Sequence, residues 1–235
     1  MSAGHEHVHE QGNNTLTYFD AYCERAGDVG FWAEPVNALT NLAFIAAAYL
    51  CYTQLRTLNN PRFRTHGDIF ALTLSLFAIG VGSGLWHTHV AHWSLLADVI
   101  PITLFIHIYL IATLRRIFEL PWWGVALGWL GYMAVQMLAE IFLPASFLNG
   151  TVMYLPTYAA LALMTLLLLV KKPDYGKVFL TVIGVWTVSL FFRTIDMEVC
   201  DSFPLGTHFL WHIFNSFVLY RLLALMITHT RLKTN

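Results

Sequence analysis

The stretch Gly80-Val81-Gly82-Ser83-Gly84-Leu85-Trp86-His87 ends a long apolar run near the middle of the chain. A second polar pair, His208 and His212, opens the last apolar run. Ser83 and His87 are four residues apart, as are the two later histidines, so each pair shares one face of a helix. Polar groups on apolar helices of this length are costly to keep and therefore indicate a functional site.

The composition is that of an integral membrane protein. Hydrophobic residues make up 57% of the 235 residues and charged residues 11%, whereas a soluble domain has about 25% charged residues. The formal net charge of −1 argues against nucleic-acid binding, which needs a basic surface. The membrane itself is therefore the expected partner.

Seven apolar runs predict an all-α bundle of seven transmembrane helices, since about 20 residues cross a bilayer. The runs cover residues 35–55, 68–88, 93–114, 121–142, 150–170, 175–192 and 207–228. The sixth run is the weakest, and we expect Arg193 to end it. The runs form one predicted domain over residues 18–230, preceded by a disordered polar tail at residues 1–17.

Basic residues predict the orientation of the bundle. Ten of the thirteen lie in alternate loops and the C-terminal tail: Arg56, Arg62, Arg64, Arg115, Arg116, Lys171, Lys172, Lys177, Arg231 and Lys233. Cytoplasmic loops are rich in Lys and Arg. The C-terminus is therefore predicted in the cytoplasm and the N-terminus outside, which an odd number of spans requires.

This topology brings the polar groups together near the external face. Ser83 and His87 end an outward-running span, whereas Asp98, His208 and His212 lie near the starts of inward-running ones. Three neutral histidines with an open fourth position are a typical catalytic zinc site. We expect Asp98 to act as general base and Ser83 to donate to an oxyanion. Either Tyr154 or Tyr158 could assist, and the sequence does not choose between them.

Polar residues also surround the start of the first span. Glu34, Asn37 and Asn41 form a stripe on one helix face, which either supports the metal site or joins helices. The acidic segment containing Asp20 and Glu24 offers carboxylates that could bind calcium. A solvated acidic loop is the other interpretation.

These motifs together resemble the signature of the alkaline ceramidase family. The motifs are Glu34-x-x-Asn37-x-x-x-Asn41, Gly82-Ser83 with His87, Asp98-x-x-Pro101 and His208-x-x-x-His212. That family belongs to a superfamily of seven-helix membrane hydrolases that includes the adiponectin and progestin receptors. The resemblance covers residues 20–215. It implies zinc on the three histidines, completed by Ser83 and Asp98, and hydrolysis of the ceramide amide bond to a sphingoid base and a fatty acid.

The resemblance carries two further expectations. One is a calcium site in the segment before the first span, on Asp20, Tyr22, Glu24 and Glu34. The other is a disulfide between Cys23 and Cys200, which both lie on the predicted external and oxidising side. Cys51 lies inside the first span and is expected to stay a free thiol.

Two other classes of function remain open. A seven-helix receptor or transport protein could keep zinc as a structural element, and it would bind zinc without cleaving any lipid amide. A membrane redox protein could use histidines as axial haem ligands, and it would show a visible absorption band. The minimal loops favour a bacterial inner membrane, with the site facing the periplasm and the lipid substrate entering from the bilayer.

The orientation predicts the reactivity of single cysteines placed in two loops. In intact cells, an impermeant external thiol reagent should label Leu148→Cys and spare Asn60→Cys, because the basic loops are held in the cytoplasm. Labelling of Asn60→Cys but not Leu148→Cys would reverse the topology.

Overall fold

The structure, a computed structural model, describes residues 21–58, 63–144 and 146–234. The predicted tail at residues 1–17 and the candidate calcium ligand Asp20 lie outside these ranges. Over the described ranges the chain is helical and contains no β-strand.

Seven helical segments of the described chain are long and apolar enough to cross a membrane, which confirms the predicted fold class. They are Pro35–Arg56, His66–His89, His92–Ile117, Trp122–Phe142, Thr151–Lys171, Pro173–Val199 and His208–Lys233. The first comprises two helices, Pro35–Thr40 and Leu42–Arg56, which meet at Asn41. The remaining α-helices are Phe63–His89, His92–Ala112, Trp122–Phe142, Leu155–Lys171, Pro173–Ile195 and His208–Thr234. We number these segments as the first to seventh spans.

The prediction that Arg193 ends the sixth span is wrong. The α-helix runs from Pro173 to Ile195 and is followed by a 3-10 turn at Asp196–Val199. Arg193 is therefore inside the last helical turn, where its side chain faces a cavity within the bundle. A single charge does not end a helix when it has polar and aromatic neighbours inside the protein.

One face of the second span forms the centre of the bundle. Ile69, Leu72, Leu76 and Ile79 recur at helical spacing and are at most 1% exposed. The same stripe continues upward as Ser83 and His87, which are also buried. Since residues three and four apart share a helix face, the helix face that forms the core at one end carries the candidate site at the other.

The other spans differ in how extensively they pack against the rest of the bundle. The second span packs most extensively on the third, the seventh packs on the first and the sixth, and the fifth packs on the sixth. The fourth span is peripheral, with only Val125 buried. Its outer face is covered with exposed Leu, Met, Ile and Phe side chains, as expected for a surface in contact with lipid.

Gly82 allows the second and third spans to cross closely. A Cβ atom at this position would overlap the backbone carbonyl of Ala97, the residue before Asp98. Because a backbone carbonyl cannot turn aside as a flexible side chain can, only glycine fits. The close crossing therefore places Asp98 beside Ser83.

Ion pairs close the end of the bundle opposite the histidines. The Arg116 guanidinium donates to both carboxylate oxygens of Asp68, at 2.6 and 2.7 Å. Lys172 donates to the Ile117 carbonyl at 2.7 Å, and Lys233 pairs with Glu119. The basic residues at this end therefore join neighbouring spans through ion pairs and hydrogen bonds. They also belong to the set that predicts the cytoplasmic side of the bundle.

The close crossing predicts different effects for two neighbouring glycines. Gly82→Ala should lower the free energy of unfolding by about 1–3 kcal/mol, the usual range for overpacking. Gly84→Ala is the matched control, because its new Cβ would meet only the Ala38 carbonyl at 3.9 Å. Thermal unfolding of both variants in detergent checks the difference. Equal melting temperatures would show that the crossing can relax.

Candidate metal centre

Three histidines from the second and seventh spans meet inside the bundle. His87, His208 and His212 are 1%, 3% and 1% exposed. Each offers a ring nitrogen, and these nitrogens lie within 4.8 Å of one another. Among the described residues this is the one group of three or more His, Cys, Asp or Glu side chains close enough to share an ion.

Glu34 orients the first of these histidines. His87 Nδ1 lies 2.5 Å from Glu34 Oε2, and Asn37 Nδ2 donates to the same oxygen at 3.1 Å. Burial would raise the pKa of Glu34, but His87 and Arg25 together hold it below its ordinary value. The carboxylate is therefore an acceptor and Nδ1 carries the proton, which leaves the Nε2 lone pair facing the other histidines.

Thr40 orients the second histidine in the same way. Its hydroxyl donates to the Val36 carbonyl at 2.7 Å and lies 3.0 Å from His212 Nδ1. A hydroxyl that already donates can only accept from the ring, so His212 carries its proton on Nδ1. Thr40 is not among the site residues predicted from the sequence, although its position three residues after Asn37 extends the predicted polar stripe.

Asp196 positions the third histidine and was also missed. Its Oδ1 accepts the backbone N–H groups of Thr207 and His208 at 2.7 and 2.8 Å. Its Oδ2 accepts the backbone N–H of Cys23 at 3.0 Å. A carboxylate at the N-terminus of a helix satisfies otherwise unpaired N–H groups, so one buried side chain joins the start of the seventh span to the N-terminal segment.

The three histidines can share a metal ion, and one pair of them has the spacing that zinc needs. Tetrahedral zinc with nitrogen ligands at 2.0–2.1 Å places those nitrogens about 3.3 Å apart, and His87 Nε2 lies 3.2 Å from His212 Nε2. Because both rings carry their protons on Nδ1, two lone pairs face each other at this distance. A cation is the natural partner for such a pair of acceptors, and supporting hydrogen bonds to Nδ1 are typical of zinc-bound histidine.

A cavity of about 650 Å³ opens beside the histidines. Its polar lining includes Tyr22, Ser83, Asp98, Tyr154, Arg193, His208 and His212. Ser83 and Asp98 share this lining, and the buried Oδ1 of Asp98 has no hydrogen-bond partner in the described protein. An unpartnered carboxylate oxygen near a candidate metal site can take a proton from a substrate or a water molecule.

The structure distinguishes the two candidate tyrosines. Tyr154 lines the cavity, with its ring 5.0 Å from that of Trp211. Tyr158 is not part of the lining and shares a hydrogen bond with Thr187 at 2.8 Å. Tyr154 is therefore the tyrosine of the fifth span that can reach a bound substrate.

Arg193 adds a positive charge that the sequence analysis assigned to the end of a span. Its guanidinium carbon lies 5.7 Å from the ring centroids of both Tyr154 and Trp211. In the described chain no carboxylate lies within ion-pair distance of it. The aromatic faces stabilise the cation and direct it toward the cavity.

The described candidate calcium ligands do not form a calcium site. Calcium takes six to eight oxygen ligands, but the Glu24 carboxylate accepts the backbone N–H groups of Val36 and Asn37 at 2.7 and 2.8 Å. The Tyr22 hydroxyl accepts from Trp86 Nε1 at 3.2 Å, and burial raises the pKa of Tyr22 to about 12. Both oxygens of Glu34 are also engaged, one of them by Arg25 at 2.5 Å. Glu24 thus caps a helix, Tyr22 accepts a hydrogen bond from the Trp86 ring, and Glu34 is the partner of His87.

The predicted disulfide is present. Cys23 and Cys200 are bonded across 177 residues of sequence, and Cys51 is a buried free thiol as expected. The bond holds the N-terminal segment against the loop before the seventh span. This segment carries Tyr22, whose ring centroid lies 4.2 Å from that of His208.

The fold and the site define a class: a seven-span membrane protein with a buried tri-histidine centre, next to which lie a carboxylate and a hydroxyl. The ceramidase family model matches residues 21–235, nearly the whole chain, and the chain belongs to that family. This confirms the resemblance carried by the sequence motifs. A comparison with curated proteins finds no match. Family membership supports hydrolysis of a lipid amide bond in a membrane setting.

Hydrogen bonding to His212 predicts the effect of Thr40→Val. The variant keeps the side-chain shape and removes the acceptor for Nδ1, so metal affinity should fall about 10–100-fold, as for other supporting partners of metal ligands. Thr53→Val, on an exposed part of the same span, should leave metal affinity unchanged. Competition with a zinc-binding dye measures both variants. Equal affinities would show that Thr40 does not orient the ring.

Proposed function

We propose that this protein is a zinc-dependent amidase that hydrolyses the N-acyl amide bond of ceramide or a related lipid to an amine and a free fatty acid. The observation that carries the proposal is a cluster of three buried histidines, two of which line the same cavity as Asp98 with its unpartnered carboxylate oxygen. His87, His208 and His212 would hold the zinc. Zinc in such a site makes water acidic enough to supply hydroxide near neutral pH and polarises a carbonyl.

Asp98 moves the proton in this mechanism. Its free Oδ1 takes a proton from the attacking water as the new carbon–oxygen bond forms. The same carboxyl then gives the proton to the nitrogen as the carbon–nitrogen bond breaks, so the products are a carboxylic acid and an amine. Ser83 lies in the same cavity lining as this carboxylate, where its hydroxyl can donate to the oxyanion.

Positive charge and hydroxyl donors stabilise the oxyanion that forms on the amide carbonyl. Ser83 and Tyr154 both line the cavity, and the Arg193 guanidinium lies over the Tyr154 ring. One such donor typically lowers the activation free energy by about 2.7–4 kcal/mol. The cation keeps this side of the cavity positive as negative charge develops.

The cavity is suited to a substrate with a polar centre and apolar chains. Its walls include apolar residues of the third and fourth spans, such as Leu96, Val99 and Met133. A narrower apolar cavity continues below Tyr154 and Trp211. Because the peripheral fourth span borders the opening, a lipid can enter sideways from the bilayer with little loss of favourable apolar contact.

The site end of the bundle would face the periplasm of a bacterial inner membrane. The charge distribution supports this orientation, since the basic residues at helix ends cluster opposite the histidines and cytoplasmic loops are rich in such residues. Of the three other basic residues, Arg221 lies within the seventh span, and Arg25 and Arg193 are engaged at the site.

The geometry favours a hydrolase over the other two classes. Structural zinc sites have four protein ligands, whereas catalytic ones keep a position open, and here the cluster has three histidines, two of which line a cavity. Axial haem ligands must lie on opposite sides of a porphyrin, and the 3.2 Å between His87 Nε2 and His212 Nε2 leaves no room for one.

Variants of the site should separate metal content from turnover. Asp98→Asn should keep zinc and lose most amide hydrolysis, because an amide cannot accept the proton. Ser83→Ala should keep zinc and lose roughly 10²–10³ in rate if the hydroxyl serves the oxyanion. Alanine in place of any of the three histidines should lose both. Metal analysis of purified protein and hydrolysis of a panel of N-acyl lipids measure the two quantities.

Controls for this series come from the same spans. Ser75→Ala, on the second span outside the cavity, and His229→Ala, near the other end of the seventh, should keep zinc and most activity. If Asp98→Asn and Ser83→Ala hydrolyse as well as the wild type, the assigned roles are wrong. A wild-type protein that binds zinc yet cleaves no lipid amide would favour the receptor or transport class.

A further inference from the structure

A buried guanidinium fills the space next to the residues expected to bind calcium. Arg25 is 2% exposed, and its Nε donates to Glu34 Oε1 at 2.5 Å. Nη1 donates to the carbonyls of Asp28 and Gly30 at 2.8 and 3.1 Å. Nη2 donates to the carbonyl of His87 at 3.1 Å. One cation is thus surrounded by four oxygens, one from a carboxylate and three from the backbone.

Carboxylate and backbone carbonyl oxygens are the ligand types that calcium takes in proteins, although the four around Arg25 are fewer than its usual six to eight. Carboxylate and carbonyl oxygens from a loop, a helix end and a neighbouring span converge on one positive centre. Arg25 supplies that centre from within the chain, because its planar fork presents several donors in fixed directions and stays charged. A calcium ion at the same oxygens would compete with the guanidinium for space and for the Glu34 charge.

We propose that Arg25 is a built-in cation that replaces calcium at this position and holds the metal centre in its binding geometry. Arg25 is a positioning residue: it fixes Glu34 Oε1, so Oε2 faces His87 Nδ1 at 2.5 Å. The ring is thereby directed with Nε2 toward His212. The protein therefore needs no calcium to assemble its zinc site.

The surrounding loop supports this role. Within residues 21–34 the Arg25 side chain donates to the carbonyls of Asp28 and Gly30, and it also donates to the carbonyl of His87 on the second span. The nearby disulfide fixes the other side of the segment. A calcium site would be expected to organise such a loop, and here a side chain and a covalent bond do so.

The inference deepens the proposed function, on which it rests for the identity of the metal, but its test needs no turnover. Zinc affinity of the purified full-length protein is measured with a competing dye, in buffer depleted of calcium beforehand and again with calcium at about 1 mM, where weak calcium sites fill. The wild type should show the same zinc affinity in both. A wild type that gains affinity with calcium would overturn the proposal.

Variants then test whether Arg25 acts through Glu34. Arg25→Gln should lower zinc affinity about 10–100-fold. Arg25→Lys should have an affinity between those of the wild type and Arg25→Gln, because lysine keeps the charge without the planar fork. Arg56→Gln, at the end of the bundle opposite the histidines, should match the wild type. In a double-mutant cycle, Arg25→Gln with Glu34→Gln should lose no more affinity than Glu34→Gln alone. Additive losses would overturn the proposed route through Glu34.

The double variant also guards against simple misfolding, because it removes both members of the buried ion pair together. A purely structural role for Arg25 would lower the melting temperature of the metal-free protein and leave zinc affinity unchanged, and this result would overturn the proposal. If zinc affinity follows Arg25 while no lipid amide is cleaved, the inference stands and the proposed function fails.

Discussion

The metal centre depends on the contacts that the buried Glu34 carboxylate makes with Arg25 and His87. Inside a membrane bundle no bulk water is available, so a charge persists only when the protein itself satisfies it. Glu34 is 1% exposed and shares its two oxygens between Arg25 and His87. Breaking a buried pair on one side is costly because the remaining charge is left uncompensated. The same carboxylate therefore stabilises the fold and selects the ring nitrogen that can bind a metal.

The segment before the first span is built around a second buried carboxylate. Asp196 accepts N–H groups from both the seventh span and Cys23, and the disulfide joins Cys23 to the loop that follows Asp196. A polar connection and a covalent one thus reinforce each other within a few residues. Together they bring Tyr22 and Arg25 to the histidines, so residues outside the spans contribute to the site.

The polar side chains of the site lie at one end of an otherwise apolar helix bundle. The second span uses one continuous face, apolar at Ile69 to Ile79 and polar at Ser83 and His87, and Gly82 lets the third span approach that face. Asp98 then lies beside Ser83 with one oxygen unpartnered in the described protein. Polar groups are confined to one end, where a cavity gives them access to a substrate, and the rest of the bundle packs as an ordinary apolar core.

The sequence by itself determined the seven spans, the three histidines with Ser83 and Asp98, and the two cysteines now joined. The spans and the polar site residues follow from hydropathy and helical spacing, which are local properties of the chain, whereas the cysteine pairing was implied by the family resemblance. It did not determine the partners of those residues: Thr40 on His212, Asp196 on His208, Arg25 on Glu34, or Arg193 in the cavity. Each of these pairs joins different helices or a loop and a helix, and Asp and Arg in loops carry no periodicity that marks a partner. Only the tertiary structure decided that the Arg25 guanidinium lies against Glu34, because that contact depends on where a short loop folds in three dimensions.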